Sequence, residues 1–453
     1  DGAALRDRAG FGETALKDID LYKLPSDFVF CYHSCPKQVL KMVNGEPAVG
    51  QYGGDEQPNT LRRLPVVRYF SSMFSQLLSI FSRTDFQRLV RDHGADKAAK
   101  GFDCWTQFVA MLFCQLGRAH SLREICQGLA SVDGKLNHLG VGAAPARSTL
   151  SYANAHRPWQ LYRDVFGQLL SRCRSAAGPK PFRFKHKLYS IDATVIDLCL
   201  SMYDWAKFRR TKGAVKLHMI LDHEGHLPCY AVLTEGKTHE IRVARTMEFP
   251  PGSIVAMDRG YIDYGFLDSL QERGVFYVTR LKDNAVYGVE AEISAPKGDI
   301  LADELINLPG TGKNYREVRS VRRVVVWDEV NRRAIVLLTN NVKLAAATIA
   351  AIYKQRWQIE LFFKALKQNF KIKTFVGTSV NAVHTQIWTA LIAILLLKYL
   401  QMRSRQSWSL SNLVALLRFN LFVHRDLWAW IDEPYVGPPA TGSPEVQGSF
   451  AFT

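Results

Sequence analysis

Residues 353–367 read Tyr-Lys-Gln-Arg-Trp-Gln-Ile-Glu-Leu-Phe-Phe-Lys-Ala-Leu-Lys. At roughly 100° per residue, Tyr353, Arg356, Glu360 and Lys367 fall within an arc of about 60° along about four turns of helix. Ile352, Ile359, Phe362, Phe363, Leu366 and Phe370 take the flank and back of the same cylinder. The pattern predicts one helix anchored in a core, with the polar stripe as its exposed or site-lining edge. A carboxylate held beside a phenol, a guanidinium and an ammonium suits a phosphodiester site. Glu360 would hold a divalent cation there, while Arg356 and Lys367 neutralise phosphate oxygens. Ordinary charge pairing along a solvated helix face is the plainer alternative. Two more carboxylates decide between them.

Metal-assisted displacement at phosphorus needs several oxygen ligands, commonly from carboxylates remote in sequence. Asp192 interrupts the apolar run 188–196, Leu-Tyr-Ser-Ile-Asp-Ala-Thr-Val-Ile, where a charge in a central strand is costly unless it binds something. Asp258 ends Ser-Ile-Val-Ala-Met-Asp (253–258) and is followed by Arg-Gly-Tyr. That places it at a strand's carboxyl end before a turn, the usual ligand position in open α/β sheets. Asp197, Asp222 and Asp263 also flank apolar runs, and read as cap or turn residues.

These three segments, in this order, resemble the DDE transposases of bacterial insertion sequences, specifically the YREK-signature group called the insertion-sequence-four family. The resemblance covers about residues 65–400. Tyr353, Arg356, Glu360 and Lys367 match its third motif, Ile191-Asp192-Ala193-Thr194 its first, and Asp258-Arg259-Gly260-Tyr261 its second. The stretch 204–218, Asp-Trp-Ala-Lys-Phe-Arg-Arg-Thr-Lys-Gly-Ala-Val-Lys-Leu-His, is similar to the family as well. The resemblance implies an α/β fold with a ribonuclease H-like catalytic core. It implies that Asp192, Asp258 and Glu360 bind two Mg²⁺ or Mn²⁺ ions and that the reaction is cut-and-paste transposition. In similar transposases a first nick frees a 3′-hydroxyl that forms a hairpin end; after reopening, the same hydroxyl attacks target DNA. Tyr353, Arg356 and Lys367 would hold phosphates near the element end, with Arg259 and Lys216 as further DNA contacts. The implied partners are double-stranded DNA (terminal inverted repeats and target) and a second copy of the chain, giving a homodimer on DNA.

Composition agrees with a polyanionic partner: 58 Lys and Arg against 42 Asp and Glu give a formal charge of +16. The most apolar run, Ala390 to Leu397, is far short of the roughly 20 residues that span a bilayer, and reads as a buried helix. With no apolar signal region at the start, a cytoplasmic protein associated with the bacterial nucleoid is expected. The eight Cys include no Cys-x2-Cys pair, so free thiols are expected. The one-residue gaps of Cys31, His33 and Cys35 fit zinc poorly.

Residues 1–60 hold Gly, Pro and polar clusters without periodicity and form an extension of uncertain nature. Helical periodicity marks 61–175 as a DNA-binding domain, with candidate helices at 105–116, 121–130 (capping box Ser121/Glu124) and 148–157. The last exposes residue types that suit a helix-turn-helix-like reader of the terminal repeats. The catalytic domain spans 176–405. It is approached by Lys180, Arg183, Lys185, His186 and Lys187 interleaved with aromatics, and it carries a β-rich insertion at about 275–340. Arg316, Arg319, Arg322, Arg323, Arg332 and Arg333 make that insertion basic, and Trp327 is assigned to stack on a flipped base as in relatives. A helical segment and tail, 406–453, would assist dimerisation. Two other readings are a catalytically inactive, transposase-derived DNA-binding protein and another ribonuclease H-like nuclease. The three carboxylates count against the first, and the complete four-residue helix signature against the second.

Overall fold

Before the sheet begins the chain is helical: α1 (Met73–Leu78), α2 (Arg83–Asp92), α3 (Cys104–Leu116), α4 (Leu122–Ala130), α5 (Arg147–His156) and α6 (Gln160–Ala176). The computed structural model describes residues 71–435, apart from 98, 100, 133, 135, 177–185, 210–211 and 310–317. The extension at 1–60, Cys31, His33, Cys35, Lys180, Arg183, Lys185 and Arg316 therefore lie outside the described residues, as does the side chain of Arg319. At α4 the expected cap forms with a shift. Ser121 accepts from the Glu124 N–H, but Glu124 reaches back to the N–H of His120, one residue beyond the cap.

Strands β1 (Leu188–Leu198), β2 (Lys207–Arg209), β3 (Lys212–Asp222) and β4 (Leu227–Glu235) follow, then α7 (Glu240–Ala244), β5 (Ile254–Met257), α8 (Tyr264–Glu272) and β6 (Phe276–Arg280). β7 (Gly288–Glu292), β8 (Ile300–Leu308), β9 (Val318–Asp328) and β10 (Arg333–Thr339) complete a ten-stranded sheet. Its order is β2-β3-β1-β5-β6-β10-β9-β8-β7, with β4 also on β3. β1 and β3 are antiparallel, as are β3 and β4, whereas β5 and β6 run parallel to β1. The stretch expected as an insertion at about 275–340 is continuous with this sheet. Its first strand, β6, hydrogen-bonds to β5 on one side and β10 on the other, so β7–β10 extend the same sheet.

β5 alternates between two buried faces: Ile254 and Ala256 pack with Leu188 and Val278 in one apolar cluster, Val255 and Met257 in another. That is the period-2 pattern of a strand covered on both sides. α9 (Ala346–Gln355) closes the first face through Ile349 and Ile352. α10 (Trp357–Asn369) and α11 (Val380–Arg403) follow it, then α12 (Leu410–Asn420) and α13 (Leu427–Asp432). α11 contains the apolar run at 390–397. It is long and apolar enough to cross a membrane, but 83% of that window is buried inside the protein, against α3, α5 and α6. Residues of the N-terminal helices, the sheet and the C-terminal helices share one continuous core cluster. The helices of the 61–175 segment thus share their core with the sheet. All six described cysteines are free thiols.

The β9–β10 arginines divide. Arg322 is buried and makes a two-point ion pair with Asp303, Nε–Oδ1 2.7 Å and Nη2–Oδ2 2.8 Å. Arg323 binds Glu304 at 2.6 Å and lies over the Tyr287 ring. Of the described side chains in that arginine group, only Arg332 and Arg333 face solvent. Arg322→Met leaves the Asp303 carboxylate buried without its partner and is expected to cost about 3–5 kcal/mol. Thermal melting checks this: the double change Arg322→Met/Asp303→Leu should recover most of the loss. An unshifted single-variant melt would contradict the assignment.

Candidate active site

The parallel register of β1 and β5 aligns Ile191 with Met257. The residues that follow, Asp192 and Asp258, are therefore neighbours on adjacent strands, whose spacing is about 4.8 Å. Both share the parity of Leu188, Ile254 and Ala256, so both side chains point to the face that α9 covers. Asp258 also leads a 3₁₀ turn, Arg259–Tyr261.

The predicted single helix is two. α9 ends at Gln355 and α10 starts at Trp357, with a tight turn at Arg356, where the N–H of Arg356 bonds to Tyr353 O (3.0 Å) and that of Ile359 to Arg356 O (3.2 Å). The break lets α9 lie on β5 and β6 while α10 leans on β1. Tyr353, Arg356 and Glu360 stay together. The Arg356 guanidinium sits 5.6 Å from the Tyr353 ring centroid and donates from Nη2 to Glu360 Oε1 at 2.6 Å. Lys367 sits apart from them, at the other end of α10. Its ammonium donates to Val195 O at 2.8 Å, and burial, partly offset by Asp197, holds its pKa below that of an ordinary lysine.

Burial pushes the Asp192 carboxyl up to about 7; the Ala193 N–H at 2.8 Å and Arg356 oppose the shift, and Glu240 and Glu360 add to it. Burial likewise raises the Tyr353 phenol, with Asp258 pushing the same way. The side chains from β1, β5, α9 and α10 thus sense one another's charge. They offer an oxygen-only donor set suited to hard divalent cations. As they stand, no three His, Cys, Asp or Glu side chains among the described residues are grouped closely enough to hold a metal ion, and Arg356 occupies one oxygen of Glu360.

The remaining predicted contacts scatter. Lys216 is largely buried; its ammonium donates to Thr238 O (3.0 Å) and Glu240 Oε1 (3.3 Å), so it is an internal cation and not a free DNA contact. His218, two residues further along the same strand, is buried against Thr234. Arg259 is solvent-facing and paired with Asp283 at 2.8 Å. Trp327 pairs across the β9–β10 hairpin with Ala334. The register puts it three residues beyond the row of Asp258, so this hairpin rises about 10 Å past the carboxylate end of the sheet. Asp222 binds Lys187 and turns the β3–β4 connection, and Asp263 caps α8. Two residues escaped the sequence reading. Glu240, at the start of α7, presents a carboxylate oxygen near Gly260. Trp357, 55% exposed, stands one turn before Glu360. The single signal for Trp357 is a large apolar ring on the polar side of an amphipathic pattern.

Residues 183–396 match the transposase DDE domain, and residues 70–142 match a domain of unknown function (DUF4372). A putative transposase, y4zB, of Sinorhizobium fredii is 32% identical over 303 residues, covering 65% of this chain and 83% of that protein. The chain belongs to the DDE transposase family of bacterial insertion sequences. The probable transposase for insertion sequence element IS5377 of Geobacillus stearothermophilus is 30% identical over 61% of this chain and 72% of its own length. The putative transposase for IS4SA of Synechocystis is 27% identical over 56% and 71%. The transposase is thus a DNA endonuclease and strand transferase, with the divalent-metal dependence general to the family.

In the metal-free transposase an unfolded Asp192 ionises near 3.8 while the folded one keeps its proton to about 7. Ionisation therefore opposes folding, and stability falls as pH rises between those values. Asp192→Asn has no such proton to lose. In EDTA its Tm is expected to track wild type below about pH 4 and to exceed it at pH 7.5. Parallel Tm profiles from pH 4 to 8 would contradict burial of this carboxyl.

Proposed function

We propose that the transposase moves its element by cut-and-paste, with Asp192, Asp258 and Glu360 as ligands of two Mg²⁺ ions, for which Mn²⁺ can substitute. The observation that carries this reading is that two register-matched sheet carboxylates point to the face covered by α9, which leads through Arg356 directly into the helix that bears Glu360. The order β4-β3-β1-β5-β6, three antiparallel strands continued by two parallel ones, supports a ribonuclease H-like core. When bound, such cations lower the pKa of an attacking water or 3′-hydroxyl and offset charge on the leaving oxygen.

The protein's own groups do the rest. Arg356 exchanges Glu360 for a phosphate oxygen of the DNA end, so the ion pair and the phosphate contact are two states of one guanidinium. Tyr353 backs that guanidinium through its ring, and Lys367 fixes α10 to β1 while carrying positive charge toward the duplex. Trp357 and Trp327 are the candidate platforms for an unstacked base at the cut, Trp357 being the nearer to Glu360. Arg259 reaches the same DNA by opening its exposed pair with Asp283. The helices before β1 read the terminal inverted repeats, and two copies bring two ends together as a homodimer. The work takes place on the bacterial nucleoid, in the cytoplasm.

Glu360→Gln is expected to abolish cleavage of duplexes carrying the element's flanking ends while leaving their binding within about twofold of wild type, since one metal ligand is lost and one cation is gained free. Gel-resolved strand breaks with Mg²⁺ and binding titrations measure both. Normal cleavage by this variant would remove Glu360 from the chemistry.

A further inference from the structure

Away from the carboxylates, the segment that leaves α10 meets α4 and α5 in an open cleft of about 600 Å³. His120, Arg123, Arg147, Ser148 and Ser151 line it and reach solvent, alongside Val376 from the segment after α10. Neither Arg123 nor Arg147 makes an ion pair among the described residues. Behind them Lys371 is only 6% exposed, and its ammonium donates to His120 Nδ1 at 2.7 Å. Among the described residues no carboxylate forms a salt bridge with Lys371, and the nearby Glu124 carboxylate is engaged by the His120 N–H. Two exposed guanidiniums without an ion-pair partner among the described residues, together with the Lys371 ammonium beside His120, give the cleft a local excess of positive charge. An anion with several oxygens meets it, with the two hydroxyls as further donors. The floor is rigid: Ile125, Leu129 and Leu150 form a small core against which Val376 packs.

We infer that this cleft is a second DNA-backbone site, gripping phosphates of the element-end duplex inside the cut. The inference rests on the proposed DNA cleavage at Glu360, because α10 supplies the ruler between them. From Glu360 to the end of α10 at Asn369 is about 14 Å at 1.5 Å per residue, or about four base pairs of duplex at 3.4 Å per step. Exposed Lys364 and Lys373 mark the way, one on α10 and one just past it. That path favours duplex DNA over an acidic peptide. The α4 side of the cleft belongs to the segment of unknown function, which thereby acquires a role: it holds one wall of a phosphate clamp whose other wall is tied to the catalytic helix.

The test uses the full chain and duplexes carrying the element's flanking ends. Arg123→Ala/Arg147→Ala is expected to weaken binding about tenfold or more and to lower the slope of log K against log salt by about two. Arg123→Lys/Arg147→Lys should keep the slope. Methylphosphonates placed about four base pairs inside the cut should weaken wild-type binding and add nothing to the alanine variant, whereas those at the cut should weaken both. An unchanged slope in the alanine variant, or wild-type indifference to the inner methylphosphonates, would overturn the site. Equal loss for a poly-glutamate competitor and DNA would do the same, by showing a general anion surface. Cleavage by Glu360→Gln fails the proposed function separately, and leaves these binding readouts standing on their own.

Discussion

The pairing of Ile191 with Met257 across β1 and β5 is the constraint on which the rest of the site depends. Because side chains alternate with a period of two, a slip of one residue would turn Asp192 away from α9 to the opposite face, on which Lys216 and Glu240 form their pair. The apolar alternation in β5 prevents the slip. Ile254 and Ala256 must face α9 and Val255 and Met257 must face the other core, and exchanging them would place each in a cavity shaped for its neighbour. A carboxylate at the end of such a strand inherits the rigidity of the packing behind it.

Rigid carboxylates are expensive in the absence of a cation, and the protein answers with its own. Arg356 neutralises Glu360 and faces Asp192; Lys216 does the same for Glu240. The site is thus partly self-compensated, and in the proposed mechanism a divalent ion would replace an internal cation instead of filling a bare cluster of charge. On that proposal the same replacement would free a guanidinium for an incoming phosphate, so that cation binding and DNA binding would favour one another. The continuous core between the N-terminal helices and α11 makes those helices and the strands that carry Asp192 and Asp258 parts of one body.

Much of this was legible in the residues. Asp192 and Asp258 stood out because a charge inside an apolar strand run demands a reason, and the spacing of Tyr353, Arg356, Glu360 and Lys367 marked the helical segment that packs beside them. The break at Arg356 was not legible, since Gln-Arg-Trp contains no Gly or Pro. It arises because α9 and α10 must satisfy different surfaces, β5/β6 and β1. Long-range partners were invisible for the same reason. Arg322 reads as one more surface arginine until β8 brings Asp303 against it, and Lys216 as a free cation until α7 delivers Glu240. The helical character of 61–175 was legible from its periodicity, but the partner of its buried face was not, because that face is completed by α11, more than two hundred residues later.

The most direct measurement is a crystal structure of the protein on a duplex bearing its element end, soaked in Mn²⁺ and read by anomalous scattering. The account requires manganese bound by Asp192, Asp258 and Glu360, with the Arg356 guanidinium moved from Glu360 to a backbone phosphate. Manganese elsewhere, or an Arg356–Glu360 pair still closed beside bound DNA, would contradict it.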